Sequence, residues 1–231
     1  MFPLNDTEAN RYGRYPVMVL ALIVVNCLVF GLEILLMFQN NGDVMPLMLR
    51  FGVIPAAVLA RQGAGGLSAV TQMFLHAGFV HLFGNMLGLW VYGRRVEDAC
   101  GPWRFLLFYL TSGVFAVVVY TLARADSTIP GIGASGAIFG VMGAYLILYP
   151  TGRIRTLILV GIVPVFVKLR AYWLILYFLG IQLLPAIRTL LNGQSYQVAH
   201  WAHLGGFIGC LTIFLFLRPD AFRRYRNDMT L

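Results

Sequence analysis

The chain has 231 residues, 59% of them hydrophobic and only 11% charged, with a mean hydropathy of +0.78. A soluble domain carries about 25% charged residues, so this composition excludes one and points to a single polytopic membrane domain with short loops. The formal net charge of +8 comes from arginines grouped between apolar runs; no aromatic-interleaved basic patch accompanies them, and nucleic acid is not expected as a partner.

In chain order, residues 1–16 are polar and read as a short cytoplasmic segment. The first apolar run, about 17–38, is long enough to span and reads as a retained anchor rather than a secretory signal. Further spans are expected at about 77–93, 104–123, 135–149, 171–191 and 200–217, each near the ~20 residues that cross a ~30 Å hydrocarbon core. Residues 17–217 thus form the membrane domain of an all-α protein, and 218–231 form a basic cytoplasmic tail. Between the fourth and fifth spans, Thr156 to Val167 is apolar, broken by Pro164 and bracketed by Arg153, Arg155, Lys168 and Arg170. Its dozen residues suit an interfacial segment better than a seventh crossing. Cys27, Cys100 and Cys210 share no metal-like spacing and read as free thiols.

Basic residues set the orientation. With the amino terminus inside, Arg11, Arg14, Arg94, Arg95, Arg104, Arg153, Arg155, Lys168, Arg170, Arg218, Arg223, Arg224 and Arg226 are all cytoplasmic. That leaves only Arg50, Arg61, Arg124 and Arg188 outside or near outer helix ends, so both termini are expected in the cytoplasm. Spans two, four and six then all start at the outer side. Their first residues place His76, His81 and Asn85, then Ser135, then His200 and His203 in one layer, and polar groups at such a depth read as a functional site.

Span four is short: Ser135 to Tyr149 makes roughly 22 Å of helix. Ser135 should therefore sit below the outer interface, with the loop from Asp126 to Ala134 dipping inward beside a water-filled hollow. A serine hydroxyl becomes a nucleophile when a base within hydrogen-bond reach takes its proton, and histidine is matched to that task near neutral pH. Ser135 and His203 would form such a dyad. No acid lies near His203 in sequence, so a full triad is not supported, and the imidazole is expected to pack against Phe139, one turn below Ser135. An oxyanion needs donors already in place; these would be the Ser135 backbone N–H together with His81 and Asn85, which share a helix face at i and i+4.

Structural readings compete with each assignment. Gly136, Gly140 and Ala144, and Ala202, Gly206 and Cys210, form small-xxx-small stripes that account for close helix packing without catalysis. A serine in such a stripe can be a packing residue, and His76 and His200 can be read as ligands of loop backbone. The catalytic reading gains from the independent topology rule that puts Ser135, His203, His81 and Asn85 at one depth.

Four motifs in order, HAGFVHLFGN (His76 to Asn85), GRRVEDACG (Gly93 to Gly101), GASG (Gly133 to Gly136) and AHLGG (Ala202 to Gly206), resemble those of bacterial rhomboid intramembrane serine proteases across nearly the whole chain. The resemblance implies a six-helix rhomboid core with Ser135 as nucleophile, His203 as general base, and His81 and Asn85 as oxyanion donors. It also implies that Gly133 is the glycine before the nucleophile, that His76 supports the loop above the site, and that Glu97 is a buried structural acid at the cytoplasmic end of span two. Phe139 stands where some members have tyrosine. The first outer loop has Arg61 but lacks the family's Trp-Arg pair.

By the same resemblance the substrate is a transmembrane protein, cleaved near the outer face of its span and entering laterally between spans five and two. Glycine-rich walls around Ser135 favour a small residue before the cut. The chemistry requires no metal or organic cofactor, the partners are substrate helices and the lipid bilayer, and the expected location is a bacterial plasma membrane. No particular oligomeric state is implied. Three alternatives share some of these features: a rhomboid-type enzyme for carboxy-terminal sorting signals, a non-catalytic rhomboid-like scaffold, and a transporter or metal channel using the four histidines. The last has neither an acidic ligand nor a visible inverted repeat. Glu33, alone in span one, is expected to make a helix-packing or outer-loop contact.

Overall fold

The computed structural model describes residues 1–231 apart from 8–9, 14, 63–64, 193–198 and 229–231. Arg14, counted in the charge pattern, lies outside the described residues, as does the end of the basic tail. The main elements are strand β1 (Phe2–Asp6), helices α1 (Val17–Gln39), α2 (Phe79–Cys100), α3 (Pro102–Ala123) and α4 (Ser135–Leu148), strands β2 (Arg153–Val160) and β3 (Val163–Arg170), and helices α5 (Ala171–Asn192), α6 (His200–Leu215) and α7 (Pro219–Asp228). Short helical turns, among them Met45–Phe51, Pro55–Leu59 and Ser68–Thr71, join α1 to α2.

Three helices are long and apolar enough to cross a membrane alone: α1, α3 and the Ala171–Arg188 part of α5. Two more candidates are bent pairs, Ser68–Phe74 with α2 at 100° and α6 with Pro219–Asn227 at 104°; α4 is a shorter apolar helix. The helix positions match the expected apolar runs to within a few residues at most ends. α2 runs further than expected, through a π-helical turn at Leu89–Gly93 and on to Cys100. The tight reversal into α3 is made at Gly101, whose φ of 84° is costly for any residue with a Cβ, and Pro102 then opens α3 where no N–H partner is needed.

Burial shows which helices carry the core. α1 buries a single stripe, Val19, Leu22, Asn26, Phe30 and Glu33, at spacings of three and four, and leaves Val24, Leu28, Leu32 and Leu35 exposed, as a helix with one lipid-facing side would. α4 is buried from Gly136 through Tyr145 and again at Leu148. It can be so enclosed because α3 and α6 approach it through small residues. A Cβ on Gly136 would collide with Ala116 of α3, one on Gly140 with Ser112, and one on Gly206 with the Gly136 backbone. The small-residue stripes therefore do serve packing, with van der Waals contact between near-touching backbones replacing the hydrophobic drive that lipid removes. α5 packs chiefly on α6.

The all-α expectation is corrected by a three-stranded antiparallel sheet of order β1-β2-β3. The apolar segment Thr156 to Val167 is not helical. It is the hairpin β2/β3, pairing Arg153 with Arg170 through Val160 with Val163 around a two-residue turn, Gly161 and Ile162. Gly161 sits at φ 62°, which such a turn favours, and Pro164 is tolerated because β3 is an edge strand. On the other side β1 pairs with β2, Asp6 opposite Ile154 and Phe2 opposite Leu157, so the amino-terminal segment is part of the sheet. The sheet lies at the end of the bundle where α1 begins and α4 finishes, opposite Ser135.

Candidate active site

The site is assembled at the first turn of α4. The loop before it runs from mostly exposed residues at 125–129 to buried Gly133 and Ala134, and is fastened twice by backbone. Gly131 and Val53 exchange N–H to O=C bonds of 2.7 and 2.9 Å, and Gly133 N–H donates to Gln72 O at 2.8 Å. Gly133 has φ 118°, and a Cβ there would lie 2.8 Å from His81 Nε2 and 3.7 Å from Asn85 Nδ2. Only glycine permits both the backbone angle and this approach.

His203 Nε2 lies 2.7 Å from Ser135 Oγ. The ring is buried and stacked on Phe139, centroids 4.5 Å apart with planes 10° from parallel, so one face is fixed by an apolar surface. Its other nitrogen, Nδ1, is 2.9 Å from Gln182 Oε1, and the same oxygen is 2.6 Å from His200 Nδ1. An amide oxygen only accepts; His203 therefore donates from Nδ1, and its neutral ring presents a lone pair at Nε2 to the serine.

Across the site, Ala77 N–H donates to His81 Nδ1 at 3.3 Å. That leaves the proton of the neutral His81 ring on Nε2, on the edge of the ring that faces Gly133. Asn85, one turn on, is buried, and its Nδ2 has no hydrogen-bond partner among the described residues. Two side-chain donors thus stand on one face of α2, and the Ser135 N–H, in the first turn of α4, lacks an intrahelical acceptor. Beside Ser135 a cleft is walled by Gly131, Gly133, Gly136, Ala116, Ala199 and Ala202, with Val53, Gln72, Val117, Tyr120 and Ile132 completing it.

His76 is buried behind this layer. Its Nδ1 is 3.3 Å from Phe74 O, its ring meets His81 edge to face at 5.2 Å, and its backbone N–H reaches both Glu33 oxygens at 3.2 and 3.3 Å. Glu33 accordingly makes the loop contact expected of it, tying α1 to the entrance of α2. The histidines form two ring pairs, His76 with His81 and His200 with His203, and among the described residues no three His, Cys, Asp or Glu side chains are grouped to hold a metal ion. Ser135, His203, Phe139, Gly133, His81 and Asn85 are thus brought together. Gln182 was missed; the signal available for it was an uncharged polar side chain in the middle of an apolar span.

A family model of the rhomboid domain matches residues 65–219. The chain belongs to the rhomboid family. This rhomboid is similar to Rhomboid protease GluP of Bacillus subtilis (strain 168), 42% identical over 84 residues, which cover 36% of this chain and 16% of GluP. It is also similar to RHOMBOID-like protein 6, mitochondrial, of Arabidopsis thaliana, 32% identical over 162 residues, 69% of this chain and 47% of the relative. Rhomboid protein 1, mitochondrial, of Saccharomyces cerevisiae is 36% identical over 92 residues, 38% of this chain and 27% of that one. The chain spans less than half the length of each of these relatives in the matched region.

Proposed function

We propose that this rhomboid is an intramembrane serine endopeptidase that cleaves transmembrane segments through the Ser135–His203 dyad. The observation that carries the reading is the 2.7 Å contact between Ser135 Oγ and an Nε2 whose lone pair is directed to it by the bond at Nδ1. Ser135 Oγ attacks the scissile carbonyl carbon while His203 Nε2 takes its proton. The carbonyl oxygen, now an oxyanion, is met by His81 Nε2–H, Asn85 Nδ2–H and the Ser135 N–H. Collapse breaks the C–N bond, His203 returns the proton to the leaving amine, and water deprotonated by the same ring hydrolyses the acyl-serine.

The substrate we assign is a membrane protein presenting an unwound stretch of its span, because a helical peptide hides its carbonyls in its own hydrogen bonds. The glycine and alanine walls of the cleft beside Ser135 favour a small residue before the cut. The location we assign is a bacterial plasma membrane, and the grouping of basic residues supports both termini in the cytoplasm; the relatives named above include bacterial and mitochondrial proteins.

The test is cleavage of a transmembrane reporter in liposomes, with chelator present throughout, by the wild-type chain and by Ser135→Ala and His203→Ala. Cleavage by wild type alone is the expected result. Cleavage by either variant at the wild-type rate would overturn the dyad, and folded wild type that binds but never cuts any of a panel of reporters would turn the reading to a helix-binding scaffold.

A further inference from the structure

We infer that Gln182 is a positioning residue for His203, occupying the place a carboxylate holds in a serine-protease triad, and that His200 holds its amide in the working orientation; the inference rests on the dyad reading above. Gln182 lies in α5, is buried, and directs a single oxygen to two ring nitrogens, His203 Nδ1 at 2.9 Å and His200 Nδ1 at 2.6 Å.

An amide has two unlike ends. With Oε1 toward His203, the imidazole must carry its one proton on Nδ1 and keep Nε2 free to take the serine proton. Turned over, the amide NH2 would face Nδ1 and drive the proton to Nε2, where the ring would donate to Ser135 and have no lone pair with which to act as base. The orientation of one side chain therefore selects between an active and an inactive tautomer.

His200 makes that selection firm. A carbonyl oxygen has two lone pairs, and here two N–H donors converge on it. Inverting the amide would require both rings to change tautomer together. Phe139 stacked on His203 removes the remaining freedom by preventing the ring from turning away from Gln182. None of the hydrogen bonds or ion pairs of His203 found among the described residues involves a carboxylate; Glu33 is held against His76, and Asp6, Glu97 and Asp98 lie at the opposite end of the bundle. A neutral orienting group suits this position, since it fixes geometry and tautomer without placing a second charge in the membrane interior.

The experiment uses the 231-residue chain in micelles, compares wild type with Gln182→Leu and Gln182→Glu, and reads two signals. One is the rate at which a fluorophosphonate probe labels Ser135, with Ser135→Ala as blank. The other is the nitrogen spectrum of histidine-labelled protein, which distinguishes an Nδ1–H from an Nε2–H ring and requires no activity. Gln182→Leu, similar in size but without an acceptor, should slow labelling roughly tenfold to hundredfold, the scale of a misplaced catalytic group, lower kcat with little change in KM for the reporter, and show an Nε2–H population at His203. Gln182→Glu, which still accepts from Nδ1, should keep the Nδ1–H signal and most of the labelling rate. Wild-type labelling by Gln182→Leu overturns the proposal, as does slow labelling by a folded Gln182→Leu whose His203 remains Nδ1–H. A blank that labels like wild type instead removes the dyad reading, and the tautomer signal still decides the role of Gln182.

Discussion

Buried carboxylates at one end of the bundle and buried side-chain donors at the other are treated differently. Where α1 begins, three carboxylates are saturated. Asp98 accepts the backbone N–H groups of Arg11, Tyr12 and Gly13 at 2.7, 3.0 and 2.6 Å. Glu97 takes those of Met18 and Val19 at 2.9 and 2.8 Å, which are orphan donors of the first turn of α1. Asp6 pairs with Arg95 Nε at 2.6 Å and receives Tyr145 OH at 3.0 Å. Around Ser135 the donors His81 Nε2 and Asn85 Nδ2 are instead held in place with no acceptor among the described residues to absorb them. Saturated groups contribute stability, whereas groups left unsatisfied cost stability and are of use only when a ligand supplies the missing partner.

The comparison breaks most sharply at Asn85. Asn85→Ala should lower reporter kcat by about 10²- to 10³-fold through the lost oxyanion donor, with no fall in melting temperature, because Nδ2 leaves no partner behind. A marked fall in melting temperature with kcat unchanged would make Asn85 a structural residue like those at the other end.

Asp98→Ala is the converse. It removes the shared acceptor of three part-buried N–H bonds, those of Arg11, Tyr12 and Gly13, and should reduce unfolding free energy by about 3 kcal/mol, read as denaturation in mixed micelles. The folded fraction should label with a serine-directed probe at the wild-type rate. Slowed labelling there would show the two ends to be coupled.

Phe139→Leu sharpens the comparison by the smallest amount. Loss of the ring stacked on His203 is worth about 0.5–1.5 kcal/mol, a reduction of roughly twofold to thirteenfold in kcat, and kinetics of the reporter at saturating substrate would measure it.

The elements legible in the sequence are those whose signal is local. The spans are visible because bilayer thickness imposes a length on any crossing helix, and the close contact of α4 with α3 and α6 is visible because small residues recur one turn apart. The hairpin was not. The stretch around Leu157 to Val167 is apolar without a period that separates helix from strand, and β1, which extends its sheet, lies some 150 residues earlier. Within the site, Ser135, His203, His81 and Asn85 share motifs with recognisable neighbours. Gln182 has none; its meaning lies in the packing of α5 on α6.

The amino-acid sequence by itself determined a membrane domain of the rhomboid family with serine and histidine at the starts of two short spans, since composition, span length and four ordered motifs are properties of the chain alone. Tertiary structure decided the rest. It brought His203 Nε2 to 2.7 Å from Ser135 Oγ, paired Glu33 with His76, folded the amino terminus into a sheet, and turned Gln182 toward two imidazoles, because hydrogen bonds between distant segments depend on how helices pack and no local pattern encodes that distance.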